Sequence, residues 1–168
     1  LLGFETVHGR RPNARIVFSG PALDKVYADR FQKEVRRRAQ FARWIPPIAP
    51  AAMRSAYASA DVVLNGSFSE GLSNVLVEGK AAGRPLLVSD VPGNRWPVLG
   101  DQGDAPMGLL FEHSRTDDFV SKALNLIDDA GLRRRLGEAG AAYASRMPGP
   151  CDEARALITV YIDAMGGL

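Results

Sequence analysis

The chain has a single cysteine, Cys151, among 168 residues. No intramolecular disulfide can form, which suits a reducing, cytoplasmic setting. Histidine is scarce as well. His8 and His113 stand apart from other potential ligands, so no metal site is expected. No apolar run reaches membrane-spanning length, and the longest are strand-sized. Leu1 to Glu5 carry no basic region and no cleavage pattern, so no signal peptide is expected. An excess of one charge is also missing: 21 basic and 19 acidic residues leave a net +2. That near balance gives no general case for nucleic-acid binding. The runs Arg36-Arg37-Arg38 and Arg133-Arg134-Arg135 lie in polar helical stretches. The first lies near a helix C-terminus, where cations are favoured, and both read as solvated faces. There is no repeat and no low-complexity tract.

What is present is a globular composition. Hydrophobic residues make up 46% of the chain, enough for one domain with a real core. Strand-like and helix-like runs alternate. A first helix ends near residues 9–12. Strands are expected over 15–19, 41–45, 61–65, 85–89 and 108–111. Helices are expected over 23–39, 50–59, 72–82, 94–99, 116–129, 131–145 and 150–165. In the second helix Val26, Tyr27, Phe31 and Val35 form one apolar stripe. Pro50 suits a helix first turn, and Gly83 suits a C-terminal stop. Val91-Pro92-Gly93-Asn94 reads as a turn. This alternation predicts an α/β fold, a doubly wound parallel sheet with helices on both faces and right-handed crossovers. Ligands of such sheets bind outside the carboxyl ends of the strands. Gly20, Trp44, Asn65, Glu70 and Asp90 all fall at that edge.

The most informative segment is Ser69-Glu70-Gly71-Leu72-Ser73-Asn74-Val75-Leu76-Val77-Glu78. Glu70 is expected in the loop between a strand and a helix, and Glu78 about two turns inside the helix. At 1.5 Å per residue they stand roughly 10 Å apart along the axis. That is about the span of a sugar, a diphosphate and a ribose laid beside a helix start. The free amides of Gly71 to Asn74 would face the middle of such a ligand, where its negative charge is.

This Glu-x7-Glu block, opening with Glu70-Gly71 and followed by Ala82-Gly83-Arg84-Pro85-Leu86-Leu87-Val88-Ser89-Asp90, resembles the signature of retaining glycosyltransferases of the GT-B fold, family 4 type (glycosyltransferase group 1). Three further blocks match in the family's order, over residues 1–145. They are Ala14-Arg15-Ile16-Val17-Phe18-Ser19-Gly20-Pro21, Ala56-Tyr57-Ala58-Ser59-Ala60-Asp61-Val62 and Gly108-Leu109-Leu110-Phe111. The resemblance implies the Rossmann-like, nucleotide-sugar-binding C-terminal domain of a two-domain enzyme, spanning 1–168. The N-terminal acceptor domain would lie outside this chain. It implies retaining transfer of a sugar from a nucleoside diphosphate sugar to a hydroxyl acceptor. No cofactor and no metal are implied. The family's basic pair would fall upstream of Leu1, so the chain alone is expected to be inactive. Peripheral membrane contact through the first domain is compatible with this picture. A binding module without turnover and a nucleotide-sugar epimerase on the same fold are the alternatives, and fold alone does not decide between them.

By the same resemblance Glu70 is the catalytic-site carboxylate, meeting donor-sugar hydroxyls. Glu78 would accept from the ribose hydroxyls. Gly71, Leu72, Ser73 and Asn74 would bind through backbone N–H, although Ser73 could equally cap the helix. Leu-Ser-Asn departs from the aromatic or Gly-rich pair that commonly follows Glu-Gly in the family. Trp44 and Ile45 correspond to the stretch that meets the nucleotide base, with core packing the other reading for Trp44. Gly20 would let the diphosphate approach, or serve only as a turn glycine. Asp90 and Asn94 read as local turn residues, Asp117-Asp118 and Asp128-Asp129 as helix-end acids, and Met107, Met147 and Met165 as packing.

Overall fold

Each strand-like run of the sequence is a strand, and each pairing is parallel. The computed structural model describes residues 1–166. In chain order the elements are α1 (Leu2–Arg10), β1 (Ile16–Ser19), α2 (Lys25–Arg37), β2 (Ala42–Ile45), α3 (Pro50–Ser59), β3 (Val63–Asn65), α4 (Asn74–Ala81), β4 (Leu86–Ser89), α5 (Pro92–Leu99), β5 (Gly108–Phe111), α6 (Thr116–Asp128), α7 (Ala130–Arg146) and α8 (Pro150–Gly166).

Strand β4 explains the layering. Its four residues are all buried, and successive side chains point to opposite faces. Leu87 joins a core with Phe4 and Val7 of α1, Val35 of α2, and Val120, Ala123 and Leu126 of α6. Leu86 and Val88 join a second core with Tyr57 of α3, Leu76 of α4 and Val98 of α5. Helices therefore cover both faces, as the alternation predicts.

The expected single sheet is in two pieces. One ladder is β1–β2 and the other is β3–β4–β5. Among the described residues, strand β1 pairs only with β2, and β3 only with β4. Side chains hold the pieces together: Ile16 and Ala42 share the first core with Leu87 and Phe111, and Val62 and Leu64 pack against it. Val17, in the middle of β1, is 58% exposed.

Other details also depart from expectation. Helix α4 starts at Asn74, so Glu78 lies little more than one turn inside it and is exposed. Val91 to Asn94 is no turn. Val91 is the N-cap of α5, and Pro92 opens the helix, where its missing N–H is no loss. The stripe of α2 holds at Val35, but Val26 and Tyr27 face solvent. Met107 is buried, while Met165 lies exposed on α8 with Leu157, Val160 and Ile162. Arg133 is more than solvated, since it donates to the carbonyls of Leu126 and Ile127 and closes the end of α6. Asp129 caps α7 by accepting from the Leu132 amide.

The second core ends at an unusual side chain. Lys80 of α4 has no exposed surface, and its Nζ has no hydrogen-bond partner. It lies 4.6 Å from the Trp96 ring centroid and 4.3 Å from that of Tyr143. Both rings donate to Asp101, Tyr143 Oη at 2.7 Å and Trp96 Nε1 at 3.3 Å. Burial lowers the Lys80 pKa, and Asp101 and Asp104 oppose that shift. Helix α7 comes close at two glycines. A Cβ on Gly140 would sit 3.0 Å from Lys80 Cβ, and one on Gly137 would run into the Gly83 carbonyl.

Two stability predictions follow from this packing. Gly137→Ala should destabilise by about 1–3 kcal/mol, because backbone must move. Gly9→Ala in α1, where a Cβ meets nothing, should stabilise by about 0.5–1 kcal/mol. Urea titration of both variants reads the pair, and equal effects would refute the close approach of α7. Separately, the unfolded chain holds the Lys80 proton up to its ordinary 10.5, whereas the folded chain releases it earlier. Stability should therefore rise with pH from the lowered folded pKa toward 10.5. Lys80→Met should flatten that rise, as read from urea midpoints between about pH 7 and 10.

Candidate functional site

The carboxyl ends of β3 and β4 carry a chain of short polar side chains. Asn65 ends β3, and its Oδ1 accepts from the Ser67 amide at 2.8 Å. This bond turns the chain back on itself. The returning loop brings Glu70 beneath two donors. Glu70 Oε1 accepts from Asn65 Nδ2 at 3.0 Å and from Ser67 Oγ at 2.7 Å. Those bonds, Asn65 first, hold the carboxyl below its ordinary value, against a smaller opposing effect of burial. Both engage Oε1, and Oε2 takes part in neither bond. Glu70 is half-buried, while Gly71, Leu72 and Asn74 beside it are exposed.

Ser73 stands at the N-cap of α4, yet its side chain does not cap. It is buried, and its Oγ accepts from Asn65 Nδ2 at 3.3 Å. The first-turn amides of α4 therefore receive nothing from it and point past the loop. Glu78 follows on the same helix. Beside it on α3, the buried Tyr57 phenol is pushed up to about 12, by burial first and by the Glu78 carboxylate second. No hydrogen bond of good geometry closes between them.

The loop rests on the start of α5. A Cβ on Gly93 would collide with the carbonyls of Glu70 and Gly71. Only glycine allows that approach. Ser89 at the end of β4 donates from Oγ to the Ser67 carbonyl at 2.6 Å. At the rim, Phe68 is 80% exposed and meets His113 edge-on, with ring centroids 5.5 Å apart. Asp90 pairs with Arg95 at 2.6 Å.

The other sequence-marked residues gather at the carboxyl ends of β1 and β2. Phe18, Ser19, Gly20, Pro21, Tyr27 and Trp44, with Phe31, line a hollow of about 240 Å³. A Cβ on Gly20 would meet nothing, so the backbone there is open to approach. Trp44 fits both of its readings. It packs edge-on against Phe31 at 5.4 Å and also lines the hollow. Ile45 is half-buried, and Ser19 Oγ ties the two strand ends by donating to the Pro46 carbonyl at 3.0 Å. A larger hollow of about 370 Å³ includes Asp61, Pro85, Arg84, Arg134 and Glu138. It opens at the opposite edge, before β3 and β4, and holds none of the residues expected to meet the donor.

Sequence reasoning gave no site role to Ser67, Ser89 or Tyr57, and read Gly93 and Asn94 as turn residues. Asn65-Gly66-Ser67 carries a local turn signature that marks the first of these. The others are brought in by long-range packing. Among the described residues, no group of three or more His, Cys, Asp or Glu is placed to hold a metal ion. Among them too, no helix is long and apolar enough to cross a membrane.

Comparison with known proteins bears on the family and the fold. Residues 3–129 match the family described as Glycosyl transferases group 1. The D-inositol 3-phosphate glycosyltransferase of Corynebacterium kroppenstedtii is 31% identical over 123 residues, covering 73% of this chain and 26% of that protein. Glycosyltransferase 1 domain-containing protein 1 of Xenopus tropicalis is 28% identical over 136 residues, covering 79% of this chain and 36% of its own length. The chain thus spans only a minor part of the curated relatives it matches. Among solved structures, sucrose-phosphate synthase from Thermosynechococcus elongatus superposes with a TM-score of 0.82 at 17% identity, over 99% of this chain and 42% of that one. HepE of Anabaena, in complex with UDP and glucose, gives a TM-score of 0.77 at 16% identity, over 94% of this chain and 43% of its own. With most of its length matched by the family, the chain belongs to the glycosyl transferases of group 1 and has the Rossmann-like α/β architecture of their GT-B fold.

Proposed function

We propose that this domain binds a nucleoside diphosphate sugar and serves as the donor half of an enzyme that transfers the sugar, with retention, to a hydroxyl acceptor. The observation that carries this reading is the half-tethered Glu70 carboxylate. Oε1 is fixed by Asn65 and Ser67 while Oε2 stays available, directly before the open first turn of α4. A carboxylate is acceptor-only when ionised, so it suits sugar hydroxyls and not phosphate. The α4 amides suit the diphosphate. Glu78, exposed farther along α4, suits the two ribose hydroxyls. The hollow beside Trp44 and Ile45 suits the base, and open Gly20 suits the phosphate path. HepE, bound to UDP and glucose, has this fold and supports the choice of donor class. No cofactor and no metal enter the proposal.

In the proposed reaction the bond between the anomeric carbon and the diphosphate oxygen breaks. The acceptor oxygen forms the new bond on the same face. Its proton passes to the departing diphosphate. The protein's part is electrostatic: preorganised amides meet the negative charge that builds on the leaving group. The site is incomplete for that task without groups from elsewhere in a longer polypeptide. The free edges of β1 and β3, and the exposure of Val17, support a further parallel strand from that polypeptide. A cytoplasmic location fits a nucleotide-sugar donor.

Glu78→Ala should weaken nucleoside diphosphate binding, whereas Glu70→Ala should mainly harm use of the sugar nucleotide. Each lost carboxylate should remove about 1.5–3 kcal/mol, or about 10- to 100-fold in affinity. Calorimetric titration of both ligands against the intact polypeptide decides the matter. Undiminished diphosphate binding by Glu78→Ala would sink the ribose assignment. The 168-residue chain alone should show no sugar transfer. Turnover by the purified chain would show that no further domain is needed.

A further inference from the structure

Asn94 has no exposed surface, and its amide is engaged on one side only. Nδ2 donates to the Ser89 carbonyl at 3.0 Å and reaches Ser89 Oγ at 3.2 Å. Oδ1 has no partner. The orientation of the amide is fixed by chemistry. A carbonyl can only accept, so the atom facing Ser89 O must be the nitrogen. The next link is fixed in the same way. Ser89 Oγ lies 2.6 Å from the Ser67 carbonyl, so its one proton points there and its lone pairs are left for Asn94. Ser67 Oγ in turn donates to Glu70 Oε1 at 2.7 Å. A directed series therefore runs from the first turn of α5, through the end of β4, to the Glu70 carboxylate.

We infer that Asn94 is a positioning residue for Glu70, acting through the Ser89 hydroxyl and the backbone of Ser67. The inference rests on the proposed role of Glu70 in meeting the donor sugar. Asn65 holds Glu70 from one side, by a bond within the loop. The loop itself needs a reference point in the body of the fold, and Asn94 with Ser89 supplies it. Gly93 belongs to the same turn of α5 and presses on the carbonyls of Glu70 and Gly71. That turn therefore sets both the height of the loop and the direction of its hydrogen bonds. A purely structural account fits less well. An amide with an orphaned buried oxygen is a poor stabiliser, and an apolar side chain of similar size would remove the orphan.

The test reads the Glu70 carboxylate itself. Carbon-detected NMR titration of the 168-residue chain should give a Glu70 pKa below the ordinary 4.5. Asn94→Leu and Ser89→Ala should each move it up toward 4.5, as should Ser67→Ala, the direct donor. Ser89→Thr, which keeps the hydroxyl, should leave it low. Urea midpoints are recorded alongside. If Asn94→Leu and Ser89→Ala fold yet leave the Glu70 titration unchanged, the positioning role is overturned. If Asn94→Leu does not fold, Ser89→Ala decides by the same readout. A separate titration of the intact polypeptide with UDP and with UDP-glucose examines the underlying reading. A carboxylate shift in the variants with equal loss of both ligands keeps the positioning role and overturns only the assignment of Glu70 to the sugar.

Discussion

The close approach of Gly93 to the carbonyls of Glu70 and Gly71 is the contact on which the site depends. It joins the β3–α4 loop to the start of α5 with no side chain between. Backbone packed this tightly cannot slide without breaking the bonds around it. The Glu70 loop is thereby tied to β4 and α5, two of the better-buried elements, although its own residues are mostly exposed. Precision in an exposed loop is borrowed from the rigid layer beneath, which is how binding residues on loops are commonly held.

That layer is set by β4. Its alternating side chains feed two cores, and its carboxyl end delivers Ser89 to the back of the loop. The second core continues into α4 and ends at Lys80, held between Trp96 of α5 and Tyr143 of α7. One buried cation thus joins three helices, two of which border the site. Its aromatic neighbours are themselves fixed by Asp101, so the rings are held in place although Nζ itself has no hydrogen bond. Apolar packing would hold the helices as well. The cation adds a preference for ring faces, and hence for one rotation of α5 against α4.

Much of this was legible in the sequence because it is local. Strand and helix periods located every element, and Glu-x7-Glu located the loop. Errors fell where two local signals compete. Pro92-Gly93-Asn94 satisfies a turn rule and a helix-start rule alike, and packing of Gly93 under the loop selects the helix. Ser73 looks like a capping serine, yet Asn65, eight residues earlier, claims its hydroxyl. Nothing in the local sequence marks Lys80 for burial, since a lysine in a helix is usually exposed. Only the arrival of α7, some sixty residues later, buries it. The division of the sheet and the link from Asn94 to Glu70 are likewise products of distant pairing, which no window of sequence contains.

On the proposed reading the charges at the site restrict how a donor could lie. Two carboxylates border it, and a diphosphate would be repelled by both. An anionic ligand can therefore be tolerated only if its neutral ends face Glu70 and Glu78 and its charged middle lies on amide groups. The α4 N-terminus supplies roughly half a positive charge, less than a diphosphate carries. On the proposed reading the balance must come from further cations. On that reading the two carboxylates would serve selection as well as binding, because an anion placed at either end of the site would meet repulsion, while hydroxyl-bearing ends would meet acceptors, of which Glu70 is already held in position.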